Sequence, residues 1–408
     1  MPALAGRKLW FVGIGGAGMS GIALVAQARG ATVAGSDNVR SETTARLEEH
    51  GITITIGHDA SNVPEGFEVV ASSAIPADNP ELHGRDVRRR AAVLGELLEP
   101  GRSIVVAGSH GKTTTASMIA YCLDRLGNDP TFVIGGEVPQ LGTNARHGSG
   151  WMVAEGDESD GSLLELAPTI AVLTNVDHDH HSAFASRADV EKLFEAWLNG
   201  VAADATVVRG EDVTLSSDVT LAVAGAHNRA NAACAVQALE HAGFARPDVE
   251  GVITEFAGAA RRLETHGTVN GVELFDDYAH HPTELEAALR AARTLVPKGG
   301  RLVVLFQPHL FTRTAYLADE FATALALADR ACVTAIYPAR EQPRPGVSAK
   351  LVTDALSRRR PGMRIGLAAT VESAALIVGN WLRPDDLVLT AGAGDVYRAI
   401  PLLQESLA

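Results

Sequence analysis

Cysteine is scarce in this chain. Cys122, Cys234 and Cys332 are the only three in 408 residues, far apart and without a Cys-x-x-Cys pair. That excludes a disulfide framework and a cysteine-built zinc knuckle, and it fits a reduced, cytoplasmic protein with three small core thiols. Positive charge is also in short supply, with 35 Lys and Arg against 49 Asp and Glu, for a net charge of −14. Nucleic-acid surfaces need clustered cations, so nucleic acid is not an expected partner. The run Arg88-Arg89-Arg90 reads as one exposed helix face. No apolar stretch approaches the ~20 residues that span a bilayer, and the start of the chain lacks a charged-then-apolar leader, so no membrane partner is expected. Apolar residues still make up 46% of the chain, enough for the cores of two or three ordinary domains.

The most informative segment that is present runs from Ile104 to Thr114. An apolar β-branched run leads into Gly108-Ser109-His110-Gly111-Lys112-Thr113-Thr114, then a helical pattern over 115–126. This is strand, phosphate loop, helix. Backbone N–H groups and the helix N-terminus attract phosphate oxygens, Lys112 reaches the β/γ-phosphates, and the Thr113 hydroxyl suits Mg²⁺. The usual phosphate loop opens on a Gly that is Val106 here.

The first segment has its own glycine loop. A strand at 8–12 precedes Gly13-Ile14-Gly15-Gly16-Ala17-Gly18, a helix follows to about Arg29, and a second strand at 31–35 leads to Asp37. That is a dinucleotide-type fingerprint in its proper context, which by itself favours a nicotinamide or flavin enzyme. The loop says only that backbone approaches a diphosphate, not which nucleotide carries it. A strand at 68–71 with Ser72 and Ser73 beyond it, a helix near 86–99 and a linker at Pro100-Gly101 complete the segment.

Further strands are predicted at 151–154, 169–174, 272–275, 301–306, 332–337 and 387–390. Strands alternating with helices predict an α/β protein of three domains: Rossmann-like N-terminal, central P-loop parallel-sheet and Rossmann-like C-terminal, with bounds at 1–99, 100–263 and 264–408. Polar clusters follow several strand ends, where such sheets bind ligands. Glu155-Gly156-Asp157-Glu158-Ser159-Asp160 places a carboxylate in the role of a Walker-B metal ligand. Asp177-His178-Asp179-His180-His181 lacks zinc-site spacing, and one His beside a phosphate-bound Mg²⁺ is the preferred reading. Asn228 and Asn231 share a helix face and either read a nucleotide or cap the helix. Tyr278 sits among acids and His just past a strand, before a helix start at Pro282.

Taken together, the loops around Gly13, Lys112, Glu155 and Asn228, with Asp276-Asp277-Tyr278-Ala279-His280-His281-Pro282 and Phe306-Gln307-Pro308-His309, resemble the Mur ligases from about Leu9 to Tyr397. The resemblance implies joining of L-alanine to UDP-N-acetylmuramate, with ATP as co-substrate and Mg²⁺ as cofactor. It implies that Gly15, Gly16, Ala17, Gly18, Met19, Ser20, Asp37, Ser72, Ser73, Glu158, Ser159, His281 and Arg313 bind the UDP-sugar. Gly108, Ser109, His110, Gly111, Lys112, Thr113, Thr114, Asn228, Asn231, Arg262 and Tyr278 would bind ATP. Lys112, Glu155 and His180 would be catalytic, with Thr113, Glu155 and His180 holding the metal; His178 and His181 are the alternatives to His180. Trp10 stands where the family usually has His, Leu310 where it has Arg, and the stretch 206–224 is short. The competing readings are a sibling ligase that adds a preformed peptide, a nicotinamide-dependent oxidoreductase built on Gly13 to Gly18, and a non-catalytic nucleotide-binding protein.

Overall fold

A computed structural model describes residues 4–98, 102–179, 183–339 and 341–408. The chain is a three-domain α/β protein, with one sheet per domain. The expected linker at Pro100-Gly101, and His180 and His181, lie outside the described residues.

The first sheet contains β1 (Lys8–Val12), β2 (Thr32–Asp37), β3 (Thr53–Ile56), β4 (Glu68–Ala71) and β5 (Val87–Arg89). Its order is β3-β2-β1-β4-β5, parallel throughout. The chain reverses direction across the sheet between β1 and β4. That is the switch point where α/β sheets open a crevice, and the glycine loop leads from β1 into α1 (Ala17–Ala28) there, with α2 (Glu42–Glu49) between β2 and β3. The helix expected near 86–99 is shorter than its pattern suggested. Residues 87–89 form the edge strand, and α3 spans Arg90–Leu97. Arg88 is drawn into a charge network in which Arg7 bonds Glu68 at 2.6 Å and Glu96 at 2.5 Å, and Arg88 pairs with Glu96. The three arginines therefore do not share one exposed helix face, because Arg88 and Arg89 belong to a strand.

The second sheet has the order β11-β10-β6-β9-β7-β8. Its strands are β6 (Ser103–Ala107), β7 (Thr131–Val138), β8 (Thr143–Arg146), β9 (Met152–Glu155), β10 (Ile170–Leu173) and β11 (Thr206–Arg209), with β8 alone antiparallel. Strand β6 is buried along its whole length between β10 and β9, and α4 (Lys112–Arg125) follows it. Helices α5 (Arg187–Gly200), α6 (Ala226–His241) and α7 (Arg246–Ile253) complete the segment.

The third sheet, β12-β13-β17-β14-β15-β16, is parallel except for β12. Its strands are β12 (Glu264–Val269), β13 (Val272–Asp277), β14 (Leu302–Phe306), β15 (Arg330–Val333), β16 (Arg364–Leu367) and β17 (Leu387–Ala391). Apolar side chains of β14 alternate between two cores, Leu302, Val304 and Phe306 in one, Val303 and Leu305 in the other, as period-2 alternation requires of a strand covered on both faces. Helices α8 (Pro282–Leu295), α9 (Phe311–Leu325) and α10 (Lys350–Arg359) pack Leu285, Leu289, Phe321 and Leu356 into the first core, and α11 (Val371–Gly379) packs Ala374 and Val378 into the second.

By contacts the chain forms two compact units. The first carries the first two sheets and consists of Met1–His178, Ser186–Thr220 and Ala230–Ala257; the second carries the third sheet together with Asp179–Ala185 and Leu221–Arg229. All three cysteines are buried and unpaired, and burial pushes the Cys122 and Cys332 thiols up to about 12. Among the described residues no helix is long and apolar enough to cross a membrane.

Candidate active site

The phosphate loop sits where the buried strand β6 meets α4. Val106 is paired with Glu155 as an ordinary strand residue, so the loop begins at Gly108. Gly108 has φ +132 and Gly111 φ +82, a region side chains disfavour. A Cβ at Gly108 would overlap the Thr174 hydroxyl, and one at Gly111 would overlap Asn231 Oδ1. The loop is braced from the end of β10. Asn175 accepts from the N–H groups of Ser109 (3.1 Å, at its backbone oxygen) and His110 (3.0 Å, at its side-chain oxygen), and Thr174 and Asn175 both donate to the His110 carbonyl. His110 Nε2 lies 3.1 Å from Asp177 Oδ2. Those two N–H groups are already used inside the protein. The first turn of α4 is what offers N–H groups without intrahelical acceptors. Thr114 is buried within α4.

Lys112 turns its ammonium back over the loop. Nζ donates to the carbonyls of Gly108 (2.6 Å) and Ser109 (3.3 Å) and to both oxygens of Glu158 (2.9 and 3.0 Å). Burial works against the charge, but Glu158 outweighs it and raises the Lys112 pKa. Glu158 is 1% exposed and the Lys112 side chain 20%, so the pair is buried on the carboxylate side and opens outward at the lysine. The acid loop that carries it leaves the end of β9. There Glu155 accepts from the Thr113 hydroxyl at 3.0 Å and from the Gly135 N–H at 2.6 Å. A hydroxyl and a carboxylate side by side at a phosphate loop form a hard oxygen pair, the donor chemistry that Mg²⁺ selects.

Glu158 and Ser159, expected at the UDP-sugar, belong to the acid loop: Glu158 lies under Lys112, and the Ser159 N–H bonds Asp157 Oδ1 at 3.0 Å. Asp157 also accepts from Arg90 Nη2 at 2.9 Å. Burial would raise the Asp157 pKa. Ser159, Arg90 and Lys112 outweigh that and bring it down to about 2.

The glycine loop after β1 opens into a cavity of about 550 Å³ lined by residues 13 and 15–19 with Asp37, Val39, His58, Ser72 and Arg90. Asp37 Oδ2 accepts from the Gly15 N–H at 2.9 Å, which spends part of that carboxylate on the loop itself. Ser20 is buried and bonds the Ala17 carbonyl of its own helix, and Ser73, between the cavity-lining Ser72 and Ala74, bonds Asp160. Sequence reasoning missed His58, Glu81 and Arg90. Glu81 is fully buried; it accepts from Trp10 Nε1 (3.3 Å), Asn62 Nδ2 (2.9 Å) and Ser36, and lies 3.2 Å from His58 Nδ1. Trp10 thus keeps an N–H donor where the family resemblance leads one to expect His. The strand-end rule that picked out the other loops also points to His58, which lies just past the alternating Thr and Ile residues of β3.

In the second unit, Tyr278 lies between two guanidinium groups, Arg261 at 5.1 Å and Arg262 at 5.2 Å from its ring. The Asn228 amide bonds the Ala224 carbonyl at 2.8 Å. His281 caps α8 by accepting from the Thr283 N–H, with Glu284 closing the capping box. Arg313 is 5% exposed and pairs with the equally buried Asp179 at 2.7 Å. His280 and His309 stand edge to face at 5.7 Å, and His309 stacks on Tyr337 at 5.9 Å. Burial holds His280 neutral, its pKa pushed down to about 3. Leu310, in the place of the family's Arg, has φ +69 and ψ 135, strained for a residue with a Cβ. It is held there by its N–H to Tyr337 O (2.9 Å) and by Thr314, whose N–H and hydroxyl donate to its carbonyl.

Family models cover most of the chain: "Mur ligase family, catalytic domain" over 8–101, "Mur ligase middle domain" over 106–219, and "Mur ligase, glutamate ligase domain" over 261–394. A UDP-N-acetylmuramate–L-alanine ligase of Thermobifida fusca is 41% identical over 461 aligned residues, covering 98% of this chain and 96% of the relative. One of Saccharopolyspora erythraea is 41% identical, covering 96% and 91%. The alignment with the first is longer than this chain, so that relative has internal residues with no counterpart here. Among solved structures, UDP-N-acetylmuramate-alanine ligase MurC of Thermotoga maritima superposes with a TM-score of 0.81 at 27% identity over 98% of both chains. A murein peptide ligase of Psychrobacter arcticus shares the fold, with a TM-score of 0.71 at 22% identity over 98% and 99%. A phosphate loop, an acid loop and a glycine-loop cavity within one compact unit, matched end to end by these models and relatives, make the chain a member of the Mur ligase family.

Proposed function

We propose that this protein is an ATP-dependent ligase that joins L-alanine to UDP-N-acetylmuramate, forming UDP-N-acetylmuramoyl-L-alanine, ADP and phosphate in the cytoplasmic part of peptidoglycan synthesis. The observation that carries this reading is the juxtaposition in one unit of two phosphate-binding architectures. One is the loop with Lys112, Thr113 and Glu155; the other is the 550 Å³ cavity at Gly13–Met19. An NAD enzyme would leave the first unexplained. The ligase relatives supply the substrate class.

The sugar nucleotide's carboxylate is already ionised at neutral pH and needs no strong base to attack the γ-phosphate. The obstacle is repulsion between two anions. Lys112 and the N–H groups opening α4 lower it by electrostatic positioning, the main contribution to phosphoryl transfer. Thr113 and Glu155 would hold Mg²⁺, which when bound neutralises phosphate charge. The amine of L-alanine then displaces phosphate from the acyl phosphate, forming the amide and releasing a proton. The UDP moiety occupies the glycine-loop cavity, with Asp37, Ser72 and His58 at its walls. Tyr278 and Arg262, with Asn228 and Asn231, serve ATP, and Arg313 and His281 serve the acceptor side.

An amine panel tests the reading. Phosphate release is measured with ATP, UDP-N-acetylmuramate and one amine at a time. Release with L-alanine and none with a tripeptide is expected. Release with the tripeptide alone would assign the peptide-adding reaction instead, and no release with any amine would favour a binding protein.

A further inference from the structure

Arg90 reaches both phosphate-binding regions of the first unit. As the first residue of α3 it borders the glycine-loop cavity. A Cβ on Gly18 would lie 2.6 Å from its Nη1. The last glycine of the fingerprint therefore leaves room for this guanidinium as well as for helix packing. The other end of the fork, Nη2, donates to Asp157 at 2.9 Å. Asp157 adjoins Glu158, which holds the Lys112 ammonium. Two residues earlier, Glu155 holds the Thr113 hydroxyl. The acid loop is thus suspended between a cation in one site and a cation in the other.

We infer that Arg90 is a positioning residue that couples the two nucleotide sites, with one nitrogen taking the diphosphate of the sugar nucleotide while the other keeps the acid loop set beneath Lys112. The inference rests on the assignment of the two sites made above. Its physical basis is the planar fork of arginine, which engages two anions in a fixed geometry that the point charge of lysine does not reproduce. A ligand that fixes the guanidinium also fixes the acid loop. The second ligand then meets a loop that is already ordered and binds more tightly. The coupling is reciprocal by thermodynamic necessity.

The test uses the full chain, UDP-N-acetylmuramate and a non-hydrolysable ATP analogue, each titrated alone and in the presence of the other. In the unsubstituted protein each ligand is expected to raise the affinity for the other by about fivefold or more, by one and the same factor. In Arg90→Lys, which keeps the charge, the sugar nucleotide still binds and the factor falls toward one. Asp157→Asn gives the same loss, and the double variant loses no more than either single. Amide exchange over residues 155–160 slows when the sugar nucleotide binds to the unsubstituted protein, and it is unchanged in Arg90→Lys. A purely structural role for the pair would shift thermal stability without removing the coupling. Should Asp157→Asn fold poorly, Arg90→Lys and Arg90→Gln carry the measurement. Tight binding of both ligands with no mutual effect, or a coupling factor that survives Arg90→Lys, overturns the inference and leaves the site assignment standing. Failure of either ligand to bind the unsubstituted protein overturns both.

Discussion

Lys112 and Glu158 show why a single substitution in this site misleads. Glu158 is the buried partner of their ion pair, and removing the lysine strands that charge at a cost of up to about 3–5 kcal/mol. Lys112→Ala is therefore expected to lose turnover and to lower the urea midpoint as well. Adding Glu158→Gln should restore the midpoint while turnover stays at least about 100-fold down, since the charge facing the phosphates is still missing. A double variant that regains activity would mean the lysine serves the fold alone. Glu155 is a separate case, because its oxygens also accept from Thr113 and Gly135. Glu155→Gln is expected to shift the Mg²⁺ requirement upward in a titration of phosphate release, and an unchanged titration would remove it from the metal's ligands.

At the scale of elements, the units strand–loop–helix at β1–α1 and β6–α4 were legible because apolar β-branched runs, glycines and helical periodicity all agree there. The three-domain α/β architecture followed from that alternation. What stayed hidden has identifiable causes. Strand β3 is only four residues of alternating Thr and Ile, and nothing in it marks His58 beyond its end; β5 is only three residues, so Arg90 reads together with Arg88 and Arg89 as one helix face. Arg90 looked like surface charge because its partner, Asp157, is distant in sequence and meets it only after two sheets have formed. Glu81 carries no local signal, since its burial is created by Trp10, Ser36 and Asn62 from separate elements. Val106 left the phosphate-loop motif incomplete, and its pairing with Glu155 makes it a strand residue. The loop's own requirement is the glycine at 108, whose Cβ position is taken by Thr174. Gly108→Ala should therefore displace the loop from its β10 brace and weaken binding of an ATP analogue by about tenfold or more, the effect of some 1.4 kcal/mol of strain, while UDP-sugar binding is unchanged.

For the whole molecule, the two compact units carry titrating groups that respond to acid in different windows. In the second unit, burial depresses His280 to about 3 from an ordinary value of 6.5. Folding thus favours the neutral ring. The stability this contributes is complete above about pH 6.5 and is lost as pH falls toward 3. In the first unit, Asp157 is depressed from 3.8 to about 2 by Ser159, Arg90 and Lys112 against the effect of burial. Its contribution is complete above about pH 4 and is lost only as pH falls toward 2. Both act in the same direction, so the chain should lose stability on acidification in two stages, the second unit leading. Urea unfolding at a series of pH values measures this. His280→Gln, which cannot take up the proton, should flatten the fall between pH 6.5 and 3, and Asp157→Asn should flatten only the part below pH 4. Equal slopes for His280→Gln and the unsubstituted chain in the upper window would show that the ring is not buried in the neutral form. The aromatic and histidine cluster around Tyr278, His309 and Tyr337 would then have to be reinterpreted as a charged site.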